Sequence, residues 1–174
     1  EQFECFIIPQ IAITFEGASH GIYNGKTDVT LFVDALENFD GPLFIRLGYE
    51  INGWWHSFRG NEKEYIYAFR KVQEEIRRRK LEVALLWNVD VSAFFDYDYM
   101  LLYPGDDWVD WWSVDLFRAR HFLLPVMRSY CDSADAHGFP ILIGESSAIC
   151  DPPSSDCKST VNHGQASWDE WFEA

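Results

Sequence analysis

Pro42-Leu43-Phe44-Ile45-Arg46-Leu47-Gly48-Tyr49-Glu50 begins as a short apolar run and closes on a carboxyl. Such a run, bounded by Pro and Gly and too short for a helix, reads as a buried strand. Pro140-Ile141-Leu142-Ile143-Gly144-Glu145 has the same form and the same ending. Working outward, residues 7–15 read as another buried strand (Ile7, Ile8, Ile11, Ile13, Phe15), broken early by Pro9. A helix is predicted over 28–39, with Leu31, Ala35, Leu36 and Phe39 on one face. After the strand 43–49, Asn61 and Glu64 have the spacing of a capping box. The helix they open carries Ile66, Phe69, Val72 and Ile76 on its apolar side. Val83–Trp87 and Trp111–Phe117 read as further strands, and a helix over 122–137 stops at Gly138. Ser167-Trp168-Asp169-Glu170 is a second capping box, opening a helix that the chain end cuts off.

Strands separated by helices imply right-handed crossovers and a parallel sheet. An open doubly wound sheet and part of a closed barrel both fit this pattern. No glycine-rich phosphate loop follows any strand, so the best sign of a nucleotide-binding doubly wound domain is missing. A complete eight-stranded barrel takes about 250 residues, and about 200 at the least. The chain has 174 residues. If the chain is a barrel it is therefore a fragment of one, and the expected fold class is then α/β, an incomplete (β/α)8 TIM barrel, with residues 1–174 forming a single partial domain.

Composition narrows the partners. Eight Trp, eight Tyr and fourteen Phe provide aromatic faces, which pack cores and also stack on sugar rings. A formal charge of −14 argues against a nucleic-acid partner, since binding to phosphate backbones rests on Lys and Arg clusters. The basic run Arg77-Arg78-Arg79-Lys80 falls at a predicted helix C-terminus, where it complements the helix dipole. Nothing reads as a signal peptide or an apolar membrane span, and no membrane partner is expected. Cys150 and Cys157 bracket a loop that a disulfide would pin, whereas Cys5 and Cys131 sit in apolar stretches and read as buried thiols.

The two strand-end glutamates carry the chemistry. In a barrel the C-terminal strand ends face the active site. A carboxyl on each of two such ends supplies the pair that cleaves a glycosidic bond. Arg46 lies four residues before Glu50, an even spacing that puts both on one face of a continuing strand. Beyond Glu50 the chain turns at Asn52-Gly53 and then presents Trp54 and Trp55 on a loop, where a sugar plane or a neighbouring segment would cover them. Trp87 either floors a sugar subsite or plugs the barrel.

The run Arg46, Glu50, Asn52, Gly53, Trp55 resembles the acid/base strand of glycoside hydrolase family 26, in the clan of (β/α)8 retaining glycosidases that includes the β-mannanases. Tyr103 to Phe117 is similar to that family's approach to its sixth strand, and Pro140 to Ser146 to its seventh. In this likeness the chain runs from the third strand to the seventh. The resemblance implies double displacement, with Glu145 as nucleophile and Glu50 as acid/base. It implies substrate contacts from Arg46, Tyr49, Asn52, Trp54, Trp55, Trp87 and Asp115. The implied substrate is a β-linked polysaccharide, most readily β-1,4-mannan, and the implied location is extracellular. No cofactor or metal is called for. Two departures bear on the sugar: Tyr49 stands where the family has His, and Phe117 where it has Tyr. A clan relative acting on another β-glucan or on xylan is the alternative within the enzyme class. A non-catalytic carbohydrate-binding barrel, or an inert fragment, is the alternative outside it.

Other candidates are weaker. Gly144-Glu145-Ser146-Ser147-Ala148 nearly matches a nucleophile elbow, but Cys150-Asp151-Pro152-Pro153 follows where a helix must start. The five histidines lack zinc-site spacing. Asp96, Asp98, Asp106, Asp107 and Asp110 crowd one loop, and turn formation and solvation account for them as well as calcium would. His56, beside the tryptophans, either lines the cleft or is an exposed loop histidine, the commoner outcome.

Overall fold

The computed structural model describes residues 8–146. Their five strands are β1 (Gln10–Ile13), β2 (Leu43–Leu47), β3 (Val83–Asp90), β4 (Trp111–Leu116) and β5 (Ile141–Ser146). They lie in sequential order in one sheet, and every neighbouring pair is parallel. Helices α1 (Glu16–Tyr23), α2 (Val29–Glu37), α3 (Glu62–Arg79) and α4 (Pro125–Ala136) lie in the crossovers. An order that never doubles back is that of a barrel, since a doubly wound sheet reverses at a switch point.

The sheet is strongly curled. In a flat sheet β1 and β5 would stand about 19 Å apart, four strand spacings of about 4.8 Å. Here the Gln10 side chain on β1 donates a 2.9 Å hydrogen bond to the Gly144 carbonyl on β5. The five strands therefore form part of a (β/α)8 barrel, with the C-terminal strand ends gathered at one rim.

Alternation along the strands separates an apolar layer from a polar one. Ile45, Leu47, Leu85, Trp87, Val89, Trp112 and Val114 join the buried cluster with Tyr65, Phe69, Val72 and Ile76 of α3 and Tyr130 of α4. Three buried aromatics in this layer also satisfy their polar tips on backbone carbonyls: Tyr65 on Leu47, Trp87 on Leu102 and Tyr130 on Ser113. Arg46, Asn88, Asp90, Ser113 and Asp115 alternate with them and are also buried. β3 is consequently buried without a break from Leu85 to Asp90, as a parallel strand covered on both faces must be.

Several local expectations change. α1 was not read from the sequence. The core side of α2 is Val29, Phe32, Val33 and Leu36, a regular i, i+3, i+4, i+7 set, while Leu31, Ala35 and Phe39 are exposed. Asn61 makes no cap bond to α3, because its side chain instead donates to the Ser57 carbonyl. Cys131 lies on the exposed side of α4. Cys5, Cys150, Cys157 and the Ser167 capping box lie outside the described residues. The basic run does close α3, with Arg79 paired to Asp34, Glu37 and Glu75. No helix among the described residues is long and apolar enough to cross a membrane.

Candidate active site

β2 ends at Leu47, and the chain then breaks strand geometry. Gly48 has φ 71° and Glu50 φ 49°. At Gly48 a Cβ would lie 2.9 Å from the Phe58 ring, so both space and dihedral require glycine. Glu50 has no such freedom and holds a left-handed conformation against its own preference. Its N–H donates to Asn88 Oδ1 at 2.7 Å and its carbonyl accepts from the Gly53 N–H at 2.8 Å, and these two bonds over-determine the turn. The same-face argument for Arg46 and Glu50 therefore fails, because the two-residue period stops before Glu50.

Glu145 reaches the site by a different irregularity. Val114 pairs with Ile143 and Leu116 with Ser146, which leaves Gly144 and Glu145 together opposite Asp115. This is a β-bulge, and bulges re-aim side chains. Asp115 Oδ1 accepts the Glu145 N–H at 2.7 Å. A Cβ on Gly144 would lie 2.5 Å from Asp115 Oδ1 and 2.7 Å from both Asn88 Nδ2 and Ser113 Oγ. Only glycine leaves room for that cluster.

One buried network then joins the strand ends. Arg46 donates through Nη2 to Glu145 at 2.7 Å and through Nη1 to both Asp115 oxygens, at 3.1 and 3.3 Å. Asn88 Nδ2 donates to Ser113 Oγ and to Asp115 Oδ1, each at 2.9 Å. Asn88 thus carries Glu50 on its oxygen and Asp115 on its nitrogen. The Glu145 side chain is 41% exposed on one flank while the guanidinium holds the other.

The two glutamates sit in opposite surroundings. Burial and the charge of Asp90 push the Glu50 carboxyl up to about 7, and the Trp55 indole N–H, 2.9 Å from Glu50 Oε2, pulls against them. Asp115 also adds to the rise, as does a hydrogen bond with Asp90 that favours the protonated form. Glu145 instead faces the buried Arg46 guanidinium, with Oε1 2.7 Å from Nη2. Burial likewise raises Asp115, to about 7, opposed by Asn88 and Arg46. The arrangement sets a carboxyl that keeps its proton up to about neutral pH beside a second carboxyl paired with a guanidinium, both at the same barrel rim.

The other predicted residues divide into three groups. Trp54 and Trp55 are 74% and 41% exposed, with their rings edge-to-face at 5.6 Å, and they form the accessible aromatic surface. Tyr49 is half-buried between the Arg46 guanidinium, 5.9 Å from its ring centroid, and His56. Asn52 and Asp115 are fully buried and do not reach substrate: Asn52 is spent on the Asp90 backbone, and Asp115 on Arg46, Asn88 and Glu145. Arg46, nearly as buried, orients carboxylates. Trp87 is a core residue. It packs against Tyr103 and Trp112 in the helix-side layer and has no exposure. His56 is half-buried, its side chain only 9% exposed, rather than an exposed loop residue. Asn88 and Asp90 were missed. Their even spacing beyond Leu86 would have given their common face, but nothing in the sequence fixes which face that is.

The aspartates of the long loop serve the chain itself. Asp98 caps a 3-10 turn, Asp96 pairs with Arg59, and Asp110 accepts from the Leu85 N–H and from Gln73. Among the described residues no group of three or more His, Cys, Asp or Glu could hold a metal ion.

No protein-family profile matches the chain. A β-1,3-xylanase of Vibrio sp is 24% identical over 177 residues, covering 94% of this chain and 38% of the relative. A β-1,3-xylanase of Alcaligenes sp is 24% identical over 169 residues, covering 90% of this chain and 35% of the relative. Among solved structures, a family 26 β-mannanase from Bacteroides ovatus superposes with a TM-score of 0.56 at 20% identity, over 69% of this chain and 39% of that one. The likeness is to family 26 glycoside hydrolases. The resemblance read from Arg46–Trp55 and Pro140–Ser146 thus recurs in the fold, while the matches along most of the sequence are to β-1,3-xylanases. The chain spans little more than a third of the length of the two curated relatives.

Proposed function

We propose that the protein hydrolyses a β-linked polysaccharide with retention of configuration, Glu145 attacking the anomeric carbon and Glu50 serving as acid and then base. The observation that carries this reading is the contrast between the two glutamates. Glu145 lies 2.7 Å from a buried guanidinium, while burial and Asp90 push Glu50 up to about 7. A general acid must hold its proton near neutral pH, and a nucleophile is best served by a cationic partner that orients it; the surroundings of Glu50 and Glu145 differ in that sense. The exposed Trp54 and Trp55 then offer a stacking surface beside the acid.

Two substrates compete. β-1,4-mannan follows from the family resemblance. β-1,3-xylan is favoured by a specific observation: the relatives matched along nine-tenths or more of this chain are β-1,3-xylanases. Tyr49 and Phe117, which depart from the mannanase pattern, fit a changed sugar subsite. A polymeric substrate supports reading the protein as extracellular and residues 1–174 as one part of a catalytic barrel.

The test uses the intact protein and its Glu50→Ala and Glu145→Ala variants on β-1,3-xylan, β-1,4-mannan and aryl glycosides. Glu145→Ala is expected to abolish turnover on all of them. Glu50→Ala is expected to spare activated aryl glycosides, whose leaving group needs little protonation, and to be rescued by azide with retention. Turnover that survives Glu145→Ala would refute the assignment. Inactivity of the unaltered protein on every β-linked polymer would favour the non-catalytic alternative.

A further inference from the structure

His56 follows the two tryptophans in the loop after β2, and the chemistry above gives it no part. Its Nδ1 lies 2.6 Å from Oε1 of Glu16, the first residue of α1, so two different βα units meet at this pair. The His56 side chain is 9% exposed, and its Nε2 is buried with no hydrogen-bond partner. The ring is surrounded by aromatics: Tyr49 edge-on at 5.2 Å, Phe58 at 5.8 Å and Trp55 at 6.3 Å. Packing alone would favour phenylalanine in such a place, because a buried unpaired nitrogen is costly. Glu16 offsets that cost by accepting a hydrogen bond from the other nitrogen, Nδ1. Glu16 is itself anchored: the Ser19 hydroxyl donates to its carbonyl at 2.9 Å, and Phe15 beside it is fully buried.

What His56 touches is what touches the acid. The Trp55 indole donates to Glu50, and Tyr49 adjoins Glu50 in the chain. Gly53 lies directly beneath the Trp55 ring, so the indole is confined from below by backbone and from the side by His56. We propose that Glu16 and His56 form a positioning pair that holds the Trp55 and Tyr49 rings and, through the Trp55 N–H, sets the proton affinity of Glu50. The proposal deepens the hydrolase reading by adding two residues that adjust the acid without touching substrate.

Glu50 titration in the intact, carbon-13-labelled protein, followed by NMR, tests this without any turnover. The groups facing Glu50 are Asp90 from β3, Asp115 from β4 and Trp55 from its own loop. Deleting a hydrogen bond to a carboxylate raises its pKa. Trp55→Phe is therefore expected to raise the Glu50 pKa by about 1 unit, the low end of the range for a bond to a charged acceptor. Glu16→Ala is expected to raise it by part of that amount, and the double variant by no more than Trp55→Phe alone. The sign discriminates, because removing a nearby negative charge would by itself lower the Glu50 pKa. Glu16→Gln keeps an acceptor for the His56 N–H and is expected to produce no rise. Should Glu16→Ala not fold, His56→Phe keeps the ring packing, deletes the bond and is expected to shift Glu50 upward in the same way. An unchanged or lowered Glu50 pKa in whichever of the two variants folds, or shifts that add to those of Trp55→Phe, would overturn the proposal. Loss of the hydrolase assignment is read separately, from turnover by Glu145→Ala.

Discussion

Replacing Glu50 by Gln tests the claim that folding itself forces a proton onto this carboxyl. Its pKa rises from 4.5 to about 7 in the folded protein, through burial first and the charge of Asp90 second. The folded state therefore holds the proton more tightly than the unfolded state. That preference adds stability fully below pH 4.5, and the stability is lost as the pH climbs through about 7. At about 1.4 kcal/mol per pH unit, the shift sets a ceiling of about 3.4 kcal/mol. Glu50 is only half-buried, and solvent screening brings the expectation down to on the order of 1–2 kcal/mol. Glutamine matches the protonated acid in shape, keeps an oxygen for the Trp55 N–H and never ionises. Urea denaturation of both proteins from pH 4.5 to 8 reads the effect. The variant and the parent should be equally stable at the acid end, and the variant should lead by that margin at the alkaline end. A difference that stays flat across this range, or one that favours the parent at high pH, would refute the reasoning.

Four further outcomes follow from the same geometry. Gly144→Ala drives a methyl into the Asn88, Ser113 and Asp115 cluster, and overpacking with loss of buried hydrogen bonds should cost about 2–4 kcal/mol in chemical denaturation. Trp87→Ala should cost about 3–5 kcal/mol of stability as a core deletion. Trp54→Ala, at an exposed site, should change stability by less than about 0.5 kcal/mol while weakening polysaccharide hydrolysis. If Glu50 is the acid proposed above, kcat/KM of the intact protein measured against pH should fall on the alkaline side with an apparent pKa near 7, as Glu50 loses the proton it would donate.

The strands, their parallel order and the two terminal glutamates were legible because each strand is a short apolar run ending at a turn signal or a carboxyl. The routes by which the glutamates reach the site were hidden. Even spacing placed Arg46 and Glu50 on one face, but that parity holds only while the strand lasts, and Gly48 and Glu50 turn left-handed first. Glu145 needs a bulge opposite Asp115, and pairing register depends on the neighbouring strand. Trp87 was misplaced for a related reason. β3 is buried on both sides, so its composition gives no phase, and only Trp112 and Tyr103 reveal which way the indole points. Asn88 and Asp90 went unread because a polar residue inside an apolar run looks like a strand end until its partners are known.

The hydrogen bonds that hold Glu50 and Glu145 start from their main-chain N–H groups, on Asn88 and Asp115, which are bonded to each other. The spacing between the two positions therefore belongs to the scaffold and survives removal of either carboxyl. An alanine at 50 or 145 leaves a vacancy of fixed outline rather than a collapsed loop. A small anion or a water can enter that vacancy in register with its surviving partner. The fold has in effect separated the jig from the tools, so the reacting groups can be exchanged one at a time while the frame keeps its dimensions.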